Sequence, residues 1–183
     1  GSETDIIQRV NYGVGEDNET TLSGDIDGSP DDISNNAYQV VVFQEVSDET
    51  ILDGFTISGG NNDKQHGSGG GIYNDNGSPH ITNCNIISNT AFSGGGIYNH
   101  GHHSGNAANP RLTNCIISGN IALSHGKGGG GIYNQGVHTG TANPTFTNCV
   151  ITGNIALSGG TGGGVLNSSS SSGDNIANPI FIN

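Results

Sequence analysis

The chain has 183 residues, 33 of them glycine, and a formal net charge of −12 with only four lysines and arginines. So few cations cannot build the basic footprint that phosphate backbones or anionic lipid surfaces demand, which excludes nucleic acid as a partner. No apolar run approaches the roughly 20 residues of a membrane-spanning helix, which argues against membrane insertion.

The acids crowd the amino-terminal part. Residues 1–53 hold thirteen of them against Arg9 alone, and residues 54–183 balance three acids with three bases. Residues 1–50 therefore read as an acidic amino-terminal cap with the first irregular rungs, charged enough to discourage end-to-end stacking there. Inside this stretch Asp25-Ile-Asp27-Gly28-Ser-Pro-Asp31-Asp32 places alternate carboxylates around a tight turn. Calcium needs six to eight oxygens, so Asp25, Asp27, Asp31 and Asp32 are candidate calcium ligands. The spacing and closing Glu of an EF-hand are missing, and a solvated acidic turn accounts for the same residues equally well.

From Leu52 onward one unit repeats. Pro79-His-Ile-Thr-Asn-Cys-Asn-Ile-Ile-Ser-Asn89 returns as Pro110-Arg-Leu-Thr-Asn-Cys-Ile-Ile-Ser-Gly-Asn120 and as Pro144-Thr-Phe-Thr-Asn-Cys-Val-Ile-Thr-Gly-Asn154. Each copy runs into a glycine cluster and a short strand, Gly94-Gly-Gly-Ile-Tyr-Asn99, Gly128-Gly-Gly-Gly-Ile-Tyr-Asn134 and Gly162-Gly-Gly-Val-Leu-Asn167. Leu52 opens a degenerate copy that ends in Gly69-Gly-Gly-Ile-Tyr-Asn74, and Pro179-Ile-Phe-Ile-Asn183 opens another. Self-similarity at this period is the mark of a solenoid. The segments are short, β-branched and punctuated by Gly, Asn and Pro, so the unit is built of strands rather than helices.

Alternation within a copy turns Leu112, Cys115 and Ile117 inward, with a break at Asn114. The Gly-Ile-Tyr-Asn segment supplies a third strand. These features predict an all-β, right-handed parallel β-helix of about five or six rungs with three short strands each, the hand following from the chirality of parallel crossovers. Rungs begin near Leu52, Pro79, Pro110, Pro144 and Pro179. The last of these places Phe181 above Phe146 with no coil beyond it, so the sequence is expected to continue in a longer chain, and the exposed end favours end-to-end self-association.

Asn83, Asn114 and Asn148 form one predicted ladder at the bends, and Asn89, Asn120 and Asn154 another, because Asn accepts the left-handed conformation and bonds to the next Asn. Cys84, Cys115 and Cys149 stack in one inward column, where parallel Cα–Cβ vectors suit a disulfide badly. They read as small buried hydrophobes. Loop length varies at Thr90–Ser93, Ile121–Lys127 and Ile155–Thr161, and again at 100–109, 135–143 and 168–178.

The pattern Pro-x-Leu-Thr-Asn-Cys-x-Ile-x-Gly-Asn followed by Gly-Gly-Gly-Ile-Tyr-Asn resembles the right-handed parallel β-helix repeats of bacterial surface proteins. It is similar to the polymorphic outer-membrane-protein and adhesin type within the pectate-lyase-like fold superfamily. The resemblance covers about residues 20–183 and implies an extracellular or cell-surface location. It carries over no catalytic residues, because the matching positions are core and turn.

Candidate chemistry is sparse. His100, His102 and His103 share one loop, with His138 in the matching loop a rung later. Imidazoles suit zinc, copper or nickel, although a polar loop explains them as well. Asp53 faces outward in the column of Thr82, Thr113 and Thr147 and lacks the acidic partner that glycosidases require. Gly-Lys127-Gly-Gly lacks the Ser or Thr and the helix of a phosphate loop. The expected function is thus a non-catalytic stalk that contacts glycans or a host or neighbouring cell through ladders of Asn, Thr, Tyr and Ser. The alternatives are part of a polysaccharide lyase or glycoside hydrolase, and an ice-binding face along the Thr column.

Overall fold

Each short apolar segment is too small to bury a face alone, and each finds its cover in the same segment one rung away. The computed structural model describes residues 19–29, 31–103, 106–123, 128–157, 161–169 and 177–182. They form a parallel β-solenoid of about four turns. Every pairing between strands is parallel and in register with the repeat: Ile81 lies beside Leu112, Leu112 beside Phe146, and Phe146 beside Phe181.

Four sheets run along the solenoid, one more than the three strands per rung read from the sequence. The first contains Thr20–Ser23, Phe55–Ser58, Asn85–Ile87, Ile116–Ser118 and Val150–Thr152. The second contains Val41–Gln44, Ile72–Asp75, Ile97–His102, Ile132–Val137 and Val165–Ser169. The third contains Ile51–Asp53, His80–Thr82, Arg111–Thr113, Thr145–Thr147 and Ile180–Ile182. The fourth is the unforeseen one: Asn61–Asn62, Thr90–Ala91, Ile121–Ala122 and Ile155–Ala156 pair as two-residue strands. The last three of these begin the segments Thr90–Ser93, Ile121–Lys127 and Ile155–Thr161, which the sequence reads as a loop of variable length. Their first two residues keep a constant register, and the variation begins only after them.

Residues 19–44 already contribute a strand to the first and to the second sheet, joined through a short 3-10 turn at Ile33–Asn35. Residues 1–18 lie outside the described residues, as do Lys127 and Asp174. Among the described residues no helix is long and apolar enough to cross a membrane.

The core is a set of columns. Ile57, Ile86 and Ile117 fill one, Ile72, Ile97 and Ile132 another, and Ile81, Leu112 and Phe146 a third, all essentially without exposure. Phe181 stacks on Phe146 with ring centroids 5.0 Å apart. Cys84 and Cys115 are buried, Cys149 is half-buried, and none of the three is joined in a disulfide. Each thiol lies against a backbone carbonyl of the preceding rung: Cys84 Sγ to Leu52 O at 3.6 Å, Cys115 Sγ to Ile81 O at 3.4 Å and Cys149 Sγ to Leu112 O at 3.5 Å.

The glycine clusters serve two purposes. Gly94 and Gly129 take φ of +62° and +77°, a region that side chains avoid. Two residues further on, a Cβ on Gly96 would stand 2.6 Å from Gly131 O and 2.9 Å from Asn120 Nδ2, so adjacent rungs approach too closely for alanine.

Candidate functional site

Both predicted asparagine ladders exist, with different chemistry. Asn83, Asn114 and Asn148 hold φ of +51°, +54° and +51° at the bend between the third and first sheets. Their amides reach back along the column, Asn114 Nδ2 to Asn83 Oδ1 at 3.3 Å and Asn148 Nδ2 to Asn114 Oδ1 at 3.5 Å. Asp53 ends this ladder by accepting from Asn83 Nδ2 at 2.8 Å and from Thr82 Oγ1 at 2.9 Å. The second ladder is interior. Asn89 Nδ2 donates to Asn120 Oδ1 at 3.1 Å, and Asn120 Nδ2 to Asn154 Oδ1 at 2.9 Å. Here the left-handed residues are the ones before, Ser88, Gly119 and Gly153, so these asparagines are kept for their amides and not for their φ.

A third ladder escaped the sequence. Asn74, Asn99 and Asn134 are fully buried and point into the core from the second sheet. Asn74 Nδ2 donates to Asn99 Oδ1 at 3.1 Å, Asn99 Nδ2 to Asn134 Oδ1 at 2.8 Å, and Asn134 Nδ2 to Asn167 Oδ1 at 2.9 Å. Alternation from inward Ile97 requires Asn99 to face inward, which was the available signal. The polar identity of the residue concealed it.

On the outer face of the second sheet, Tyr73 stacks on Tyr98 with ring centroids 5.5 Å apart, and Tyr98 meets Tyr133 at 5.2 Å with the rings tilted by 56°. They are not the open ladder expected of them. Tyr98 is 8% exposed and Tyr133 only 2%. Tyr98 donates its hydroxyl to Gln135 Oε1, and burial pushes its pKa upward. His66 and Phe92 meet edge-on at 5.9 Å beside them. With Ser68, Ser93, Tyr98, Tyr133 and Gln135 they line a pocket of about 170 Å³.

The larger concavity is a polar cleft of about 480 Å³ along the turn between the second and third sheets. Ser78, Asn109 and Asn143 each precede a rung-opening proline and recur at the rung spacing along its wall. Arg111 and Thr145, paired neighbours in the third sheet, form the facing row. The loop after Val41–Gln44 closes one end with Val46, Ser47 and Asp48. Asn143 N donates to Asn109 Oδ1 at 2.7 Å, which fixes the wall, and Arg111 Nη1 lies 3.0 Å from His80 Nε2. Asp48 is the one carboxylate among the described lining residues. The cleft was not foreseen, because its residues come from loops on separate rungs and meet only once the register is known.

The histidines do come together. The ring of His102 lies 5.3 Å from His100, 3.6 Å from His103 and 5.0 Å from His138, and His103 lies 5.9 Å from His138. His100 Nδ1 stands 3.2 Å from Asp75 Oδ1. Desolvation, followed by the neighbouring imidazoles, lowers the pKa of His102. Among the described residues no group of three or more His, Cys, Asp and Glu side chains stands in metal-holding geometry.

The acidic turn uses its own carboxylates. Asp25 Oδ1 accepts from Gly28 N at 2.8 Å and Ser29 N at 3.1 Å. Asp27 accepts from Ser29 N at 3.0 Å and Asn35 Nδ2 at 2.6 Å, and Asp32 caps the 3-10 turn through Ser34 N at 3.0 Å. These bonds hold the pKa of Asp27 and of Asp32 below the ordinary carboxylate value, Asn35 being the main cause at Asp27 and Ser34 at Asp32. Asp31 lies exposed in the same turn.

No protein-family profile, curated protein or solved structure matches the chain.

Proposed function

We propose that this solenoid is a non-catalytic binding stalk of a secreted or surface-exposed protein, and that its cleft contacts an extended glycan of a host or neighbouring cell. The single observation that carries this reading is the cleft's periodic polar wall. Ser78, Asn109 and Asn143 repeat at the strand spacing of about 4.8 Å, comparable to the length of a sugar residue in an extended chain. Hydrogen-bonding side chains at turns fixed by the register of the sheets on either side recognise hydroxyl-rich polymers at little entropic cost. Asp48, the one carboxylate among the described lining residues, supports binding over hydrolysis, since glycosidases work with a pair. The repeat's resemblance to bacterial surface β-helices points to the same setting.

The test is a glycan array with the purified protein, followed by titration of the best ligand. Binding without release of sugar products, weakened about tenfold by Arg111→Ala or Asn143→Ala and unchanged by Thr147→Val outside the cleft, is the expected result. Products with unsaturated or reducing ends would replace the stalk with an enzyme. Binding indifferent to both cleft variants would move the site elsewhere.

A further inference from the structure

We infer that the recess over Tyr98 and Tyr133 holds a single uncharged sugar ring, at a site separate from the polar cleft. Both tyrosines stand on the outer face of the second sheet, yet both are buried. His66, Ser68, Phe92 and Ser93, from the turns that lead from the fourth sheet to the second, share the recess with them. The turn that carries Phe92 is the shortest of its row, four residues in Thr90–Ser93 against seven in Ile121–Lys127 and Ile155–Thr161. Four residues can cover little of the face beneath, and the recess opens beside them. The cleft lies along the opposite edge of the second sheet, so the two sites stand or fall independently.

The walls are fixed by the register of the solenoid. Ser68 and Ser93 form a parallel bridge, in which Gly69 N donates to Ser93 O and Ser93 N to Gly67 O, both at 3.0 Å. Phe92 N donates to Asn62 O at 2.9 Å. Gln39 Nε2 and Asn62 Nδ2 both donate to Ser68 O, at 3.0 and 3.1 Å. A ligand entering such a site has few protein groups left to order.

An enclosure of about 150 Å³ admits one benzene ring. The recess, at about 170 Å³, therefore takes one six-membered ring. Its aromatic side chains present differently tilted surfaces: His66 and Phe92 meet edge-on at 5.9 Å, and Tyr98 and Tyr133 are inclined by 56°. The negative faces of such rings attract the polarised C–H groups of a pyranose.

Between the rings stand Ser68, Ser93 and Gln135. The Tyr98 hydroxyl donates to Gln135 Oε1, which holds that side chain in place with its NH₂ as the remaining donor. Aromatic surface interleaved with neutral hydrogen-bonding groups matches a sugar, which has an apolar C–H face and a rim of hydroxyls. A purely aromatic ligand would leave the amide and the serines unpaired, at a cost. The described lining residues include no carboxylate, lysine or arginine, so nothing there would compensate a charge removed from water.

The test adds the methyl glycosides of glucose, galactose, mannose and N-acetylglucosamine, one at a time, to the native protein and follows its aromatic ring signals by NMR. At least one should bind with a Kd in about the millimolar range and move the signals of Phe92, Tyr98 and Tyr133. Phe92→Ala should weaken that binding about tenfold, Phe92→Tyr, which keeps a ring, should retain it, and Thr147→Val leaves it unchanged. Unaltered melting temperatures would show that the variants are folded, and the mapping on the native chain decides the matter without them. Silence toward all four glycosides, or a response to phenol alone, would overturn the site. Shifts at the His80 ring beside Arg111, in place of those at Tyr98 and Tyr133, would put the sugar in the cleft and overturn the recess while the reading of the cleft stood.

Discussion

Asn99 Nδ2 donates to Asn134 Oδ1 across 2.8 Å inside the core, where neither side chain has any exposure. Replacing Asn99 removes a central link, leaving Asn134 Oδ1 without its donor and Asn74 Nδ2 without one of its two acceptors. Asn99→Leu should cost about 3 kcal/mol in urea unfolding, because a buried orphaned amide forfeits its solvation and gains nothing. A loss under about 0.5 kcal/mol would show that the ladder is dispensable.

The exterior ladder separates backbone from hydrogen bond. Asn114 sits at φ +54°, exposed, with amide contacts of 3.3 and 3.5 Å. Asn114→Ala and Asn114→Gly lose the same side-chain bonds, but only alanine resists the left-handed conformation. Alanine should cost about 1 kcal/mol more than glycine. Equal effects would mean that the bend relaxes to a negative φ.

Thiol labelling reads the cysteine column directly. Cys84 and Cys115 are buried, and the hydrogen bond with Cys149 together with burial raises the Cys115 pKa. Cys149 is half-buried, and its interaction with the Cys115 thiol lowers its pKa. The native protein should therefore expose at most one reactive thiol, rising in rate through neutral pH, and the denatured protein should expose all three. Fast labelling of Cys84 would contradict the packed column.

At the acidic turn the folded pKa values of Asp27 and Asp32 lie below the unfolded value of 3.8. Their bonds thus stabilise the fold above that value, and the contribution disappears as pH falls through the folded pKa. The melting temperature of Asp27→Asn should trail the native protein at pH 7 and meet it in strong acid. With N–H donors already on Asp25, Asp27 and Asp32, millimolar Ca²⁺ should leave the melting temperature where EDTA does. A calcium-dependent rise would show these carboxylates turning outward to a cation.

Legibility in the sequence followed chemical type. Leu112, Cys115 and Ile117 were readable because apolar residues at fixed intervals have one explanation, and Asn114 because a left-handed bend wants asparagine. Asn99 was not, since a polar residue on an inward position looks like a surface residue until its partner one rung away is seen. Ile121–Ala122 was hidden at the start of a segment whose length varies. The cleft required Ser78, Asn109 and Asn143 to be recognised as neighbours in space across intervals of more than thirty residues.

The buried amides also share an orientation. From Asn74 to Asn167, and from Asn89 to Asn154, every link between asparagine side chains runs the same way, the NH₂ of one donating to the oxygen of the asparagine in the following rung. Aligned dipoles polarise one another, so the interior carries a fixed electrical direction along its axis, a side-chain counterpart of the field within a helix. Two such coils stacked in opposite senses would set like against like at both interior ladders, oxygen facing oxygen or NH₂ facing NH₂ according to which ends meet. The asparagines therefore fix which way successive coils can follow one another, a vector that apolar columns of Ile and Leu cannot encode.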